Sequence, residues 1–498
     1  MNGQRHDVRE GPLTVAQSQL WALDRCTSYA SALNLGYALN LTGPLDVTAL
    51  DEAFTDLVRT HEPLRTTYHA TGDGPLARVR DASLALAAVD LTPRPVTGGE
   101  DAAALARAER KRGFDLAHEA PVRATLLRLA EDHHVLLLTL HHIAADGWSL
   151  YVVNETLSRG YAARLGHTAA EPSPRPRVEC LEQAARQRDW LAGEEARREA
   201  AWWSDRLRGA RPRPARLEAQ HDVTGAEMLR HVEPVPDELT TQLRRLGRSA
   251  GVSLYAVLLS AFNALLLHWS GEPEPVVGTL VANRPTADSA EVLGAHYNPL
   301  LMSTRLDGDP SLAEVLLRTS ADTLRVLDRQ QLPYAVLAPG LHDVLGWPPG
   351  TTPAAMFLMD RYPLERLTLR GCDVTGLYLD DGGTGASGPA APLPASTTAA
   401  LNVFVREAAD RLTVSVLSPR GTLGAADLAT LAQAYLDLLV ALCETPEVPL
   451  SEVELYRPED PEAHSPVDGA EPSRPILREV TGLAPVEALS PVGAWSHP

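Results

Sequence analysis

Val135-Leu136-Leu137-Leu138-Thr139-Leu140 is an apolar run of strand length without helical period, and it ends on His141-His142-Ile143-Ala144-Ala145-Asp146-Gly147-Trp148-Ser149. Residues 149–157 then read as an amphipathic helix. A buried strand, a tight turn and a helix in direct succession constrain this stretch to a layered α/β arrangement. Two imidazoles stand where the strand ends and the backbone turns, with a carboxylate and a glycine in the same turn. Loops held by rigid elements are where reactive groups tend to be presented.

The neighbouring segments agree with an α/β sandwich half. Residues 37–41 are strand-like, and Asp46 is placed to cap a helix whose stripe is Val47, Leu50, Phe54, Leu57 and Val58. An Ala/Arg helix over 101–111 precedes two neighbouring strands, 122–129 and 134–140. Ala16, Leu20 and Leu23 put a helix at 14–23, behind a loose N-terminus at 1–12, and complete a first lobe over 13–170. The proline run within 171–178 cannot propagate helix or sheet and reads as a linker to a second lobe at 179–456. That lobe is expected to contain a buried helix at 254–269, strands at 276–285, 301–306, 401–405 and 411–417, and a helix at 425–442. A Gly/Ala/Pro-rich loop fills 380–398. Residues 457–498 form an acidic, Pro-rich tail whose end, Gly493-Ala494-Trp495-Ser496-His497-Pro498, resembles the front of a streptavidin-affinity tag.

Composition narrows the partners. A chain of 498 residues, 44% hydrophobic and 22% charged, can hold two or three domain-sized cores. Its net charge of -19 argues against nucleic acid and against an anionic membrane surface. Lys111 is the single lysine, a pattern of high-GC coding rather than of a physical adaptation. Cys26, Cys180, Cys372 and Cys443 lie far apart without CxxC spacing, so a reduced, cytoplasmic protein without a thiolate metal site is expected. No apolar leader and no 18-residue apolar span is present, so neither secretion nor membrane insertion is expected.

His-His-x-x-x-Asp-Gly followed by Trp-Ser resembles the signature of the condensation domains of nonribosomal peptide synthetases, which belong with chloramphenicol acetyltransferase to the HxxxD acyltransferase superfamily. Arg59-Thr60-His61-Glu62-Pro63-Leu64-Arg65-Thr66-Thr67-Tyr68 resembles the second motif of that family. Leu293-Gly294-Ala295-His296-Tyr297-Asn298-Pro299-Leu300 matches the fifth at its glycine and asparagine, with the usual Phe-Val-Asn-Thr core altered. The sixth survives as Gln331-Leu332-Pro333-Tyr334; the fourth, around Cys180, is degraded, and the seventh is replaced.

The resemblance implies two chloramphenicol-acetyltransferase-like α/β sandwich lobes in a V, with the active site in a tunnel between them and the 380–398 loop as a latch. It implies an acyltransferase that forms an amide or ester from a carrier-bound acyl or aminoacyl thioester and an amine or hydroxyl acceptor. The phosphopantetheine arm then belongs to a carrier protein met in trans by a free-standing monomer, and the chain binds no cofactor of its own. His142 falls at the reacting centre, and an imidazole titrating near 6.5 can accept the nucleophile's proton or orient the attacking group. His141 is expected to shape the loop, Asp146 to pair with Arg284 across the lobes, and Gly147 to avoid crowding the backbone or the arm. Trp148, Ser149 and Asn298 are expected to line the substrate passage, and Arg65 to be a buried charge near the site. Adjacent histidines on an extended chain point to opposite sides and no further ligand cluster accompanies them, so no metal is expected. Three other readings stay open: an acyl-CoA-dependent acyltransferase, an inactive recruitment domain for a partner such as an oxygenase, and two histidines that are merely buried and satisfied.

Overall fold

The computed structural model describes residues 9–25, 33–86, 89–96, 101–166, 176, 178–211, 228–345, 347, 353–360, 367–377, 399–408, 411–453 and 455. Its strands are β1 (Arg9–Pro12), β2 (Asn34–Thr42), β3 (Thr66–Thr71), β4 (Gly74–Val79), β5 (Val89–Pro95), β6 (Val122–Ala130) and β7 (His133–His141), then β8 (Met228–Pro234), β9 (Val276–Val281), β10 (Asn298–Ser303), β11 (Ala355–Asp360), β12 (Asp373–Gly376), β13 (Leu401–Ala408) and β14 (Arg411–Pro419). The first lobe stands on a five-stranded sheet of order β12-β2-β7-β6-β5, the second on a six-stranded sheet of order β10-β9-β11-β13-β14-β8. A small sheet, β1-β4-β3, accompanies the first.

Strand β7 lies antiparallel between β2 and β6 and delivers the two histidines. Leu136, Leu138 and Leu140 pack with Leu50 and Phe54 of the helix Val47–Thr60 and with Leu150 and Val153 of the helix Gly147–Arg164. Val135 and Leu137 face the other way, onto Ala102 and Ala106 of the helix Ala102–Lys111. Both faces are covered, which is why the run shows no polar alternation. Each such leucine stabilises the lobe by roughly 1.5–3 kcal/mol.

In the second lobe the helices Leu254–Ser270 and Ala425–Glu444 cover one face of the sheet, with Phe262, Leu266, Tyr435 and Leu439 in a core shared with Val403, Val414 and Val416. Ala425–Glu444 is long and apolar enough to cross a membrane by length and composition, and its apolar side is buried here against protein.

Parts of the second half cross back onto the first lobe. Strand β12 pairs antiparallel with β2, from Asp373 opposite Thr42 to Gly376 opposite Leu39. Leu293, Leu367 and Leu369 sit in the first lobe's core.

Several expectations are revised. Residues 9–12 are not loose but form β1, paired with β4; residues 1–8 lie outside the described residues. The strand expected at 301–306 begins at Asn298, and β9 ends at Val281, so Arg284 stands in the loop beyond it. The helix after the histidine turn starts at Gly147, and burial of Val152, Val153, Thr156, Leu157, Ser158 and Tyr161 leaves it far less amphipathic than its sequence suggests. The linker at 171–178, apart from Pro176 and Val178, the latch at 380–398 and the tail at 457–498 lie outside the described residues.

Candidate active site

The turn after β7 is tied at both ends. The amide of His141 donates to the carbonyl of Pro121 (3.0 Å) and that of His142 to Leu33 (2.8 Å). At the far end Asp146 caps the helix Gly147–Arg164, its Oδ1 accepting from the Ser149 amide at 2.9 Å. An aspartate three residues ahead of a serine at a helix start is a capping signal that the residues alone carry, and it gives Asp146 a second task beside Arg284.

The two imidazoles take different roles from their surroundings. His141 is fully buried; its Nδ1 accepts from the Ile143 amide at 3.1 Å, and its Nε2 meets Asp24 Oδ1 at 3.3 Å. Phe114 packs on it edge-on, with centroids 5.9 Å apart. His142 is 8% exposed, and its Nδ1 lies 2.9 Å from the carbonyl of Ala145. A carbonyl oxygen only accepts, so Nδ1 carries the hydrogen and neutral His142 keeps the lone pair on Nε2. Nε2 has no hydrogen-bond partner among the described residues. Burial pushes the His142 pKa below the ordinary imidazole value, so the ring is a neutral acceptor near pH 7.

Arg284 braces this turn from the second lobe. Its Nη1 donates to Asp146 Oδ2 at 2.8 Å and its Nη2 to Oδ1 at 2.9 Å, a two-pronged pair between side chains only 2% and 3% exposed. Burial alone would raise the Asp146 pKa, but the guanidinium outweighs it and holds the carboxyl at about 2. Nη1 also reaches the carbonyl of Ala282 (2.9 Å) and Nη2 those of Val292 (3.3 Å) and Gly294 (3.3 Å), while Nε is buried without a partner among the described residues. The amide of His296 adds a bond to Asp146 Oδ2 at 3.1 Å. Gly294 has φ +143, and a Cβ there would lie 2.7 Å from His296 Nε2, so the fifth motif's glycine serves a close approach.

The other site residues divide between the ion-pair network, the surface and a cavity wall. Ser149 is fully buried, donating to Asp146 Oδ1 (2.8 Å) and accepting from the Gly294 amide (3.2 Å), so its hydroxyl belongs to the Asp146–Arg284 network rather than to a passage wall. Asn298 is buried too: its Nδ2 donates to Gln330 (2.8 Å) and Leu332 (2.7 Å), and its Oδ1 accepts from the Tyr334 amide (2.9 Å). These bonds hold the sixth motif in place, and Asn298 also lines the cavity beside the 295–299 segment. Trp148 is 42% exposed, and its indole N–H reaches the Ala290 carbonyl at 2.8 Å, a contact between lobes. A Cβ on Gly147 would meet nothing within 4 Å, so crowding by the protein is not what calls for a glycine. Arg65 is half-buried at the end of the short turn Glu62–Arg65 and donates to the Arg80 carbonyl (2.8 Å).

The expected tunnel has one clear departure. Two cavities stand out among the described residues. One lies between β2, β7 and the helix Ala102–Lys111, the other between the helices Val15–Asp24 and Cys180–Ala192 and the 295–299 segment; His142 lines neither. Tyr297 lines the second cavity, and its ring is 5.0 Å from that of His142. In the sequence Tyr297 is visible only as part of an altered motif. Among the described residues no group of three or more His, Cys, Asp or Glu could hold a metal ion.

Comparison with known proteins agrees with this geometry. Isonitrile lipopeptide synthase of Mycobacterium tuberculosis is 32% identical over 386 residues, covering 74% of this chain and 15% of that protein. Phosphinothricin tripeptide synthetase PhsC of Streptomyces viridochromogenes is 33% identical over 335 residues, 65% of this chain and 30% of its own length. The chain thus spans less than a third of the length of either curated relative. The same fold occurs in the condensation domain of the Monacolin K polyketide synthase MokA (TM-score 0.73, 17% identity, covering 89% of this chain and 99% of that one) and in the X-domain from teicoplanin biosynthesis (TM-score 0.72, 23% identity, 89% and 97%). These likenesses establish the two-lobed, chloramphenicol-acetyltransferase-like architecture. A family profile described as "Condensation domain" matches residues 8–345, and with the paired histidines, Asp146 and Arg284 in their places this chain belongs to the condensation-domain family of nonribosomal peptide synthetases.

Proposed function

We propose that this chain joins a carrier-bound acyl or aminoacyl thioester to an amine or hydroxyl acceptor in natural-product biosynthesis, with His142 as the group that handles the proton. The observation that carries this reading is the fixed tautomer of His142. The Ala145 carbonyl holds the hydrogen on Nδ1, and a basic Nε2 is left without a protein partner among the described residues. The nucleophile attacks the thioester carbonyl carbon, the new C–N or C–O bond forms, and its proton passes to Nε2. The C–S bond then breaks, and the departing thiolate takes the proton back from the imidazolium, restoring neutral His142. Holding the reactants together supplies a large part of the rate. An alcohol needs the base more than an amine that is already neutral.

The rest of the assignment follows from the same reading. His141 fixes the loop, and the Asp146–Arg284 pair, with Ser149, holds it against the second lobe; Gly147 leaves open space beside the turn. Trp148, at the surface between lobes, and Asn298, on a cavity wall, are the candidates for contact with substrate. The thioester arrives on the phosphopantetheine of a carrier protein that docks in trans on a monomer, in the cytoplasm, and the chain supplies no cofactor. The lobes are taken as 13–170 and 179–456, joined through 171–178.

The test is intact-mass analysis of an acylated carrier protein incubated with candidate acceptors. The wild type should move the acyl group to the acceptor, and His142→Ala should lose about 10²–10⁴-fold in rate while folding normally. Equal transfer by His142→Ala removes His142 from the chemistry. No transfer together with tight binding of a partner protein points instead to recruitment.

A further inference from the structure

Tyr297 touches both His142 and a cavity. Toward the first lobe it lies against His142, with ring centroids 5.0 Å apart and planes inclined by 41°. It also lines the cavity whose polar lining comes from Gln19, Gln183, Gln187, Asn283, Asn298 and Tyr334. No Asp, Glu, Lys or Arg is among the described residues that line this cavity. His296 also lines it, and burial, with Arg284 nearby, pushes its pKa down to about 4, so it is uncharged near pH 7. The cavity is therefore polar, rich in side-chain amides and neutral.

Two of its groups are oriented. Gln187 Oε1 accepts from the Val15 amide at 2.8 Å, which turns its NH₂ hydrogens away from that bond, and they have no partner among the described residues. The phenol of Tyr297 likewise has no hydrogen-bond partner among the described residues, and burial raises its pKa so that it stays protonated.

We infer that Tyr297 is a specificity-determining residue, the partition that sets how bulky an acceptor can be beside His142, and that the amide-lined cavity behind it takes an uncharged, hydrogen-bonding acceptor side chain. This rests on the proposed function, because only a nucleophile held against Nε2 has a substituent that must find room here. Donors such as the Gln187 NH₂ discriminate strongly, because an apolar guest leaves them dehydrated and unpaired, whereas the size of an apolar wall discriminates by less.

The experiment uses the full chain, one fixed acyl-thioester donor and four amino-acid amides as acceptors: alaninamide, tryptophanamide, leucinamide and glutaminamide. Tyr297→Val should raise kcat/KM for tryptophanamide relative to alaninamide by about 10-fold or more, and Tyr297→Phe, which keeps the ring, should leave that ratio in place. Gln187→Leu, a change on the helix Cys180–Ala192, should lower glutaminamide relative to leucinamide, which keeps the test alive if Tyr297→Val does not fold. Folded variants with wild-type ratios for both pairs overturn the inference. Absence of transfer by the wild type to any acceptor overturns the proposed function and this inference together, whereas wild-type transfer with unmoved ratios sinks this inference alone.

Discussion

Arg284 is the residue on which the geometry of the turn depends most, because its guanidinium is buried and its principal counter-ion is Asp146. Asp146→Ala leaves that cation in a low-dielectric site and also removes the cap from the helix Gly147–Arg164, so it should cost about 3–5 kcal/mol in urea unfolding. Asp146→Ala combined with Arg284→Met should recover part of the loss, since the pair's stranded charge is gone. A double variant as unstable as the sum of the two singles would remove the ion pair from the account. The pairing is legible in the sequence only through the family resemblance, which sets Arg284 opposite the aspartate of the histidine motif. The positions of Ser149 and Asn298 are not. Where a polar side chain finds its partners depends on segments that lie 145 residues away for Ser149 and more than 30 for Asn298, and no local pattern carries that. Tyr297 is equally silent in the sequence, because adjacency to His142 exists only once the second lobe docks.

At the scale of elements, the least legible feature is β12. Four residues, Asp373–Gly376, complete the first lobe's sheet from more than 300 residues away in the chain, and so short a strand has too few side chains to show alternation. Strands β6 and β7 are legible for the opposite reason: they are long, adjacent in sequence and apolar. The docking of β12 runs past Gly43, which has φ +125 and whose added Cβ would meet the Gly371 carbonyl at 2.3 Å. Gly43→Ala should therefore push the 369–376 crossing off the edge of β2, at roughly 1–3 kcal/mol. Hydrogen exchange should show it as faster exchange at β12, with β6 and β7 still protected. Unaltered exchange at β12 would mean that Leu367 and Leu369 hold the crossing by themselves.

For the whole molecule, acid stability is governed by buried neutral histidines before it is governed by carboxylates. Burial lowers His61 in the first lobe to about 4, and burial with Arg284 lowers His296 in the crossing segment to about 4, while His142 is shifted in the same direction. The unfolded chain takes up these protons near pH 6.5 and the folded one does not, so the stability tied to them is full above pH 6.5 and is lost as pH falls toward 4. Each shift of that size is worth roughly 3 kcal/mol at its limit. Asp146 adds a later loss, from about pH 4 downward, as its carboxylate, held at about 2, is forced to protonate. The net charge of -19 works the other way, since self-repulsion eases as carboxylates take up protons, but that relief starts close to the carboxylate range. Between pH 7 and 5 the histidines win, and the free energy of unfolding from urea titrations should fall by several kcal/mol. His61→Leu should flatten part of that slope, because His61 Nε2 is buried without a partner and an apolar side chain asks for none. An unchanged slope in His61→Leu would show that His61 takes up a proton inside the folded lobe, and that its burial does not keep it neutral.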